Sequence, residues 1–325
     1  MTDLVSIVTP LFNRARLVVE TIDSVVSQTN PNWELLIVDD HSDDRGLAIA
    51  EAKAAIDSRI KAWRRRSDVK GAPSCRNEGL AKAAGNYVIF LDSDDLLAPS
   101  CIENRLKACV LDPRLDYQLF PSEQFRYEPG DLGLLWFRHA EDDLAGFLEK
   151  PLWQTTAAIW KIDSIRNLGG FREDLLAWQD WELFVRAMIN DANYKIHDTQ
   201  ADNFIRRSLH DRISFHAERD QAKLENRKCL FRDTFRSLNE AGKLNPTIEL
   251  NLINLFVGLA TKLRIVGQHR SADGWISEIA DMGLISRDQV DQTIELTVKN
   301  SRLTFRQRVA ELKLWVLSIY YRMTG

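Results

Sequence analysis

The chain has 325 residues, 45% hydrophobic and 28% charged, with a formal net charge of -4. That balance suits one large globular domain or two, and it lacks the global positive charge that would point to nucleic acid. Cys75, Cys101, Cys109 and Cys229 form no close C-x-x-C pair, which argues against a zinc site and for reduced thiols in the cytoplasm.

The opening MTDLVSIVTP has neither the basic start nor the long apolar stretch of a signal peptide, and no apolar run approaches the ~20 residues of a membrane span. Val5 to Thr9 reads as a first strand stopped by Pro10, and Leu17 to Gln28 as a helix with apolar residues near a helical period. Glu34 to Val38 (ELLIV) is a second strand, followed by Asp39-Asp40-His41-Ser42 and an alanine-rich helix over Asp43 to Ile56. Ile60 to Arg64 is a weaker third strand, and Gly71-Ala72-Pro73 opens a helix running to Ala84. Tyr87 to Leu91 is a fourth strand, with a helix from Pro99 to Leu111. This alternation predicts a doubly wound α/β sheet.

Beyond Pro113 the alternation stops. Tyr117 to Phe120 reads as a strand, Ser122 to Lys150 as an irregular insertion or lid, and Trp153 to Trp160 as extended chain. Ile162 to Gly170 reads as a short helix closed by Gly169-Gly170. From Asp180 an amphipathic helix follows, with Asp180 either its cap or a base held at a helix start. Helices are expected over Ala217 to Ala241, Thr247 to Val266, Ala272 to Met282 and Arg287 to Thr297. The last stretch, Leu303 to Met323, is basic, amphipathic and aromatic-rich, which suits packing on neighbouring helices or a second subunit, or contact with an anionic membrane surface.

The chemistry concentrates after the fourth strand, where Asp92, Asp94 and Asp95 fall within four residues. Burying them in the strand would be costly, so they belong just past its carboxyl end, the rim where open α/β sheets bind ligands. A divalent cation relieves the repulsion of such a cluster, and hard oxygen ligands suit magnesium or manganese. A plain strand-to-helix turn with Asp94 or Asp95 as cap is the competing reading. Phe12-Asn13-Arg14 and Asp39-Asp40 are expected on the same rim.

VSIVTPLFNR, SVVSQTNPNWELLIVDDHS and GAPSCRNEGLAKAAGNYVIFLDSDD, followed by FREDLLAWQDWELFVRA, resemble glycosyltransferase family 2, the inverting GT-A enzymes, over residues 4 to 215. The resemblance implies a GT-A domain over 1–216, with a nucleotide-binding half to 112 and an acceptor-side half from 113, and a helical region over 217–325 outside the match. It implies a nucleotide-diphosphate sugar donor, with a UDP-sugar the first choice, a divalent Mg2+ or Mn2+, and a glycan or lipid-linked acceptor. Carried over by position, Pro10, Phe12 and Asp40 lie near the donor base, with Phe12 where the family often has tyrosine, and Asp39 supports the loop. Arg76 and Asn77 match the polar pair facing the nucleotide. Asp94 contacts ribose or metal, and Asp95 is the main metal ligand. Asp180 matches the catalytic base, with Gln179 where an acidic residue usually precedes it, and Trp181 lines the acceptor side. In IRRSLHDRIS, His210 approaches the diphosphate or metal, with Arg207 the weaker candidate.

The implied reaction is one direct displacement with Asp180 as base, in the synthesis of surface polysaccharide or another glycan. Two other readings compete. A haloacid-dehalogenase-like phosphatase also places D-x-D after a strand, but leaves Asp40 and Asp180 unexplained. A catalytically degenerate nucleotide-sugar-binding or scaffolding protein would act through the helical region, which would recruit a partner.

Overall fold

The computed structural model describes residues 3–136, 143–207 and 220–303, together with 307 and 315. Its centre is a seven-stranded sheet in the order β3-β2-β1-β4-β9-β6-β10. These strands are β1 (Val5–Leu11), β2 (Trp33–Asp39), β3 (Ile60–Arg64), β4 (Tyr87–Phe90), β6 (Tyr117–Leu119), β9 (Ala158–Lys161) and β10 (Tyr194–Ile196). β1 to β4 are mutually parallel, as the alternation requires, while β9 runs antiparallel between β4 and β6. The sheet is therefore doubly wound at its first half and mixed at its second.

Side chains of the strands alternate between two cores. Val5, Ile7, Leu35, Ile37 and Ile89 face α1 (Val18–Val26), α2 (Gly46–Ala54) and α4 (Cys101–Leu111). Val8, Leu36, Val88 and Phe90 face the other way, toward α3 (Ala72–Lys82). An unbroken apolar run such as LLIV is what a strand buried on both faces needs.

Pro10 does not stop β1, which continues to Leu11. The β1 carbonyl of Val8 accepts from Leu91 on the β4 side, and that of Leu11 accepts from Asp40 on the β2 side. Pro10 shares the orientation of Val8, so its missing donor faces the side where pairing with β4 has already ended at Val8.

The segment expected to be irregular is structured in part. β7 (Ser122–Phe125) and β8 (Leu134–Trp136) form a hairpin, and α5 (Asp143–Glu149) follows. With β5 (Leu96–Leu97) and β11 (Asn203–Arg206) the hairpin builds a second sheet, ordered β5-β11-β7-β8. The short helix α6 (Ile162–Asn167) is followed by Gly169 and Gly170 at φ 87° and 67°, the positive values that a chain reversal after a helix favours in glycine. Then come α7 (Gln179–Ile189) and the C-terminal helices α8 (Gln221–Glu240), α9 (Pro246–Ile265), α10 (His269–Asp281) and α11 (Val290–Ser301). Those helices do not form a separate core: Leu224, Phe231, Phe256 and Trp275 belong to the same apolar cluster as Val8, Phe90, Trp160 and Phe184. Of the last stretch Leu303, Gln307 and Trp315 are described, and Trp315 packs on that cluster. Among the described residues no helix is long and apolar enough to cross a membrane.

Candidate active site

β1 leads to β2 on one side and neighbours β4 on the other, so the gap beyond their carboxyl ends is the switch point of the sheet, where α/β folds bind ligands. On the β1 side the chain turns through Asn13 at φ 50°. Its amide donates to Ser42 Oγ at 3.0 Å and its Oδ1 accepts from the Asp43 amide at 2.8 Å. This pins the loop and leaves the Phe12 ring 51% exposed, while Pro10 is buried.

At the end of β2, Asp39 is fully buried, accepts from the Ser42 amide and pairs with Arg64 at 3.3 Å, the supporting role expected of it. Asp40 also braces loops: Oδ1 accepts from Arg65 Nε at 2.6 Å and Oδ2 from the Gly71 amide at 2.9 Å. A carboxylate oxygen has two lone pairs, so these bonds leave acceptor capacity for a nucleobase.

The β4 rim is a tight turn closed by the Asp95 amide donating to the Asp92 carbonyl at 3.1 Å. α1 anchors it, with Thr21 Oγ1 donating to the Asp95 carbonyl at 2.9 Å. Asp95 is buried, and its Oδ1 accepts from the Arg206 amide of β11 at 2.8 Å. Arg206 Nε donates to the Asp94 carbonyl at 3.0 Å, and its Nη2 reaches Glu20 at 2.6 Å. Arg14 Nε lies 3.5 Å from Asp94 Oδ2. Burial pushes the Asp95 carboxyl well above the usual carboxylate range and Asp94 above it as well, with the neighbouring carboxylates adding to both shifts. The cations Arg14 and Arg206 oppose the shift at Asp94, and Arg206 with its amide opposes it at Asp95.

This donor set fits a divalent cation. The oxygens are hard, and burial and mutual repulsion make them costly to ionise without a counter-ion. Among the described residues no three His, Cys, Asp or Glu side chains come together as a group that could hold a metal ion. A partial shell is what magnesium or manganese takes when substrate phosphates supply the rest.

α3 brings Arg76, which is buried, to the rim from the other face: its Nη2 donates to Asp92 Oδ1 at 2.5 Å and its guanidinium stands 5.1 Å from the Phe171 ring centre. Asn77, expected beside Arg76 at the nucleotide, spends its side chain on the protein itself. Its Nδ2 donates to the Phe171 carbonyl and to Glu173 Oε1, both at 2.8 Å, and its Oδ1 accepts from the Phe171 amide at 2.8 Å. Both amide donors are thereby used, so Asn77 is a clamp on the chain after α6.

Asp180 lies in the first turn of α7 and is not the cap residue, a position taken by Trp178. It is partly buried; desolvation raises its carboxyl, opposed by the Trp181 amide at 2.8 Å and then by the charge of Arg76. The charge of Asp92 also acts on it, so the candidate base and the D-x-D turn share one electrostatic neighbourhood around Arg76. Gln179 starts the helix beside it, its amide donating to the Leu175 carbonyl at 3.2 Å. Trp181 is not on an acceptor surface: it is 1% exposed and its Nε1 donates to the Phe147 carbonyl at 2.8 Å. Its ring completes the core between α5 and α8. His210 lies outside the described residues. Arg207 lies against the hairpin, 4.7 Å over the Trp136 ring.

Sequence reasoning passed over Arg206, although it stood in the quoted IRRSLHDRIS segment. Its placement depends on Arg105, fully buried in α4, which grips Asp202 at the foot of β11 through two bonds of 2.8 and 2.6 Å.

Residues 6–122 match the model described as Glycosyl transferase family 2. The chain carries a family 2 glycosyltransferase domain. The family 2 match runs from the second residue of β1 to the first residue of β7, and so takes in the D-x-D turn but not Asp180. The chain is 39% identical over 104 residues to WfgD of Escherichia coli, described as a UDP-Glc:alpha-D-GlcNAc-diphosphoundecaprenol beta-1,3-glucosyltransferase, covering 32% of this chain and 40% of that one. It spans less than half the length of the curated relatives it matches at highest identity. Among solved structures, TarS 1-349 of S. aureus in complex with UDP-GlcNAc superposes with a TM-score of 0.59 at 16% identity, covering 94% of this chain and 92% of that one. The mannosyltransferase PcManGT of Pyrobaculum calidifontis, in complex with GDP-Man and Mn2+, superposes with a TM-score of 0.56 at 17% identity, covering 99% and 87%. The fold of this chain is GT-A, with a C-terminal helical region.

Proposed function

We propose that this protein is an inverting glycosyltransferase that moves a sugar from a nucleotide-diphosphate sugar to an acceptor hydroxyl. The observation that carries the reading is the D-x-D turn itself: Asp92 paired with buried Arg76 at 2.5 Å, Asp94 beside Arg14 at 3.5 Å, and buried Asp95 held by the Arg206 amide of β11 at 2.8 Å. The sequence interval between these groups has no bearing on chemistry unless the fold unites them.

Asp180 takes the proton of the acceptor hydroxyl as that oxygen attacks the anomeric carbon. A single displacement inverts the configuration, so no enzyme nucleophile is needed and one base is enough. Phe12, exposed at the rim, offers a face on which a nucleobase can stack, and Asp40 offers acceptor capacity for its edge. Asp95 with Asp94 would hold the divalent cation, whose contribution when bound is to neutralise charge on the departing diphosphate. Arg14, beside Asp94, and Arg206 add positive charge to the same turn.

A UDP-sugar is the first choice of donor, supported by the UDP-sugar named for WfgD and the UDP-GlcNAc complex of TarS. The GDP-Man and Mn2+ complex of PcManGT supports the metal and keeps a second base in view. For the acceptor we propose a growing surface glycan or a lipid-linked sugar, the class named for WfgD.

Calorimetric titration with nucleoside diphosphates and UDP-, GDP- and dTDP-sugars, with and without manganese, tests the donor site. We expect manganese-dependent binding of one nucleoside diphosphate, weakened in Asp95→Asn, a change that preserves an acceptor for the Arg206 amide. Failure of every nucleotide to bind would remove the transferase reading and leave the scaffolding one.

A further inference from the structure

Two residues before Asp180, Trp178 sits at φ 67° and ψ 27°. A bulky aromatic avoids this left-handed region, and it persists there only when its surroundings hold it. The holding groups come from the C-terminal helical region. Arg227 of α8 is 3% exposed and places its guanidinium 4.4 Å over the Trp178 ring. Phe231, one turn further along α8, meets the same ring edge-on at 5.6 Å and the Trp181 ring at 6.0 Å.

The grip extends upstream along the loop. Asn226 Oδ1 accepts from the Leu176 amide and its Nδ2 donates to the Asp174 carbonyl, both at 2.9 Å. Arg172 Nη1 pairs with Asp233 at 2.9 Å. The start of the loop is fixed from the opposite side by Asn77 of α3, the residue after Arg76. The segment 171–178 is thus stretched between the helix that bears Arg76 and α8, and it ends at the candidate base.

We propose that α8 is a positioning element for the transfer reaction, with Arg227 and Asn226 holding Trp178 and its loop so that Asp180 is presented to the D-x-D rim. This rests on the reading of Asp180 as the base. The helical region is then part of the catalytic domain in function, and Arg227 is a positioning residue that acts through Trp178.

The test uses the full chain and measures nucleoside diphosphate released from UDP-glucose, UDP-N-acetylglucosamine and GDP-mannose with manganese. Arg227→Met is expected to lower kcat by roughly tenfold or more, since small displacements of a reacting group are costly, while nucleoside diphosphate affinity stays within about twofold. Arg227→Lys keeps a cation over the ring and restores most of the rate. Adding Arg227→Met to Trp178→Gly costs little further, because glycine accepts the positive φ and no ring remains to be held. A parallel fall in affinity and kcat, or full additivity of the two changes, overturns the proposal.

Amide hydrogen exchange provides an arm that needs no donor. Exchange over residues 172–182 quickens in Arg227→Met and in the milder Asn226→Ala, while that of β1 and β4 is unchanged. Unaltered exchange over 172–182 overturns the proposal whatever the turnover. Asp180→Asn is measured alongside. Wild-type turnover in Asp180→Asn removes the base assignment, with the exchange result standing by itself. Loss of turnover in Asp180→Asn together with an undiminished kcat in Arg227→Met removes the positioning role alone.

Discussion

Asp180 has the electrostatic setting a general base requires. Desolvation raises its carboxyl above the ordinary aspartate range, while the Trp181 amide and Arg76 keep it from staying protonated without limit. A protonated carboxyl cannot accept the acceptor's proton, so kcat should fall as pH drops through the raised pKa and level off above it. The acid limb is therefore expected above pH ~4, the region of an unperturbed aspartate. A pH-rate profile at saturating donor checks this, and an acid limb at or below that value would remove the desolvation account. Asp180→Asn should lower kcat by about a hundredfold to ten-thousandfold with nucleotide binding intact. Arg76 is buried and pairs with Asp92, and its charge also favours the ionised form of Asp180.

At the scale of elements, α3 delivers Arg76 because it approaches β1 very closely. A Cβ on Gly79 would lie 2.3 Å from Val8 Cγ1, a distance no real contact tolerates. Gly79→Ala is expected to force the helix away from the strand and to destabilise the protein by about 1–3 kcal/mol, as overpacking does. Thermal unfolding measures the loss, and an unchanged midpoint would show that the helix can shift freely. The alternation from β1 to α4 was legible because β1, β2 and β4 are runs of strand formers and the connections are short. β5, β7, β8 and β11 were not, since each has two to four residues and the second sheet joins segments far apart in the chain. The same divide runs through the site. The Asp92 to Asp95 turn announces itself by charge after an apolar strand. Arg206 meets Asp95 through its backbone amide, which no side-chain pattern records. The resemblance put Trp181 on the acceptor side, but α5 and α8 close over it, and only the tertiary packing decides that.

For the molecule as a whole, the end of the family resemblance is not the end of the core. Trp181 and Phe184 of α7 share a cluster with Phe231 of α8, Phe256 of α9 and Trp275 of α10. Phe231 and Phe256 stack at 5.3 Å, and Phe256 meets Trp275 at 5.2 Å. Polar bonds tie the same layers: Asn251 of α9 donates to the Ala145 carbonyl of α5 at 2.8 Å, and Lys243 donates to the Met188 carbonyl of α7 at 2.8 Å. Burying a large apolar side chain contributes roughly 1.5–3 kcal/mol, so uncovering several at once costs an amount comparable with the ~5–15 kcal/mol by which a protein is stable. The fragment 1–216 is therefore expected to lack a cooperative thermal transition and to bind a hydrophobic dye, whereas the whole chain unfolds in one transition. A fragment that unfolded sharply and bound nucleoside diphosphate like the full protein would mean that the helical region is an independent domain. The single apolar cluster makes the opposite expectation: the helices that stabilise the fold are the same ones that set the loop before Asp180, so stability and turnover should decline together as they are trimmed.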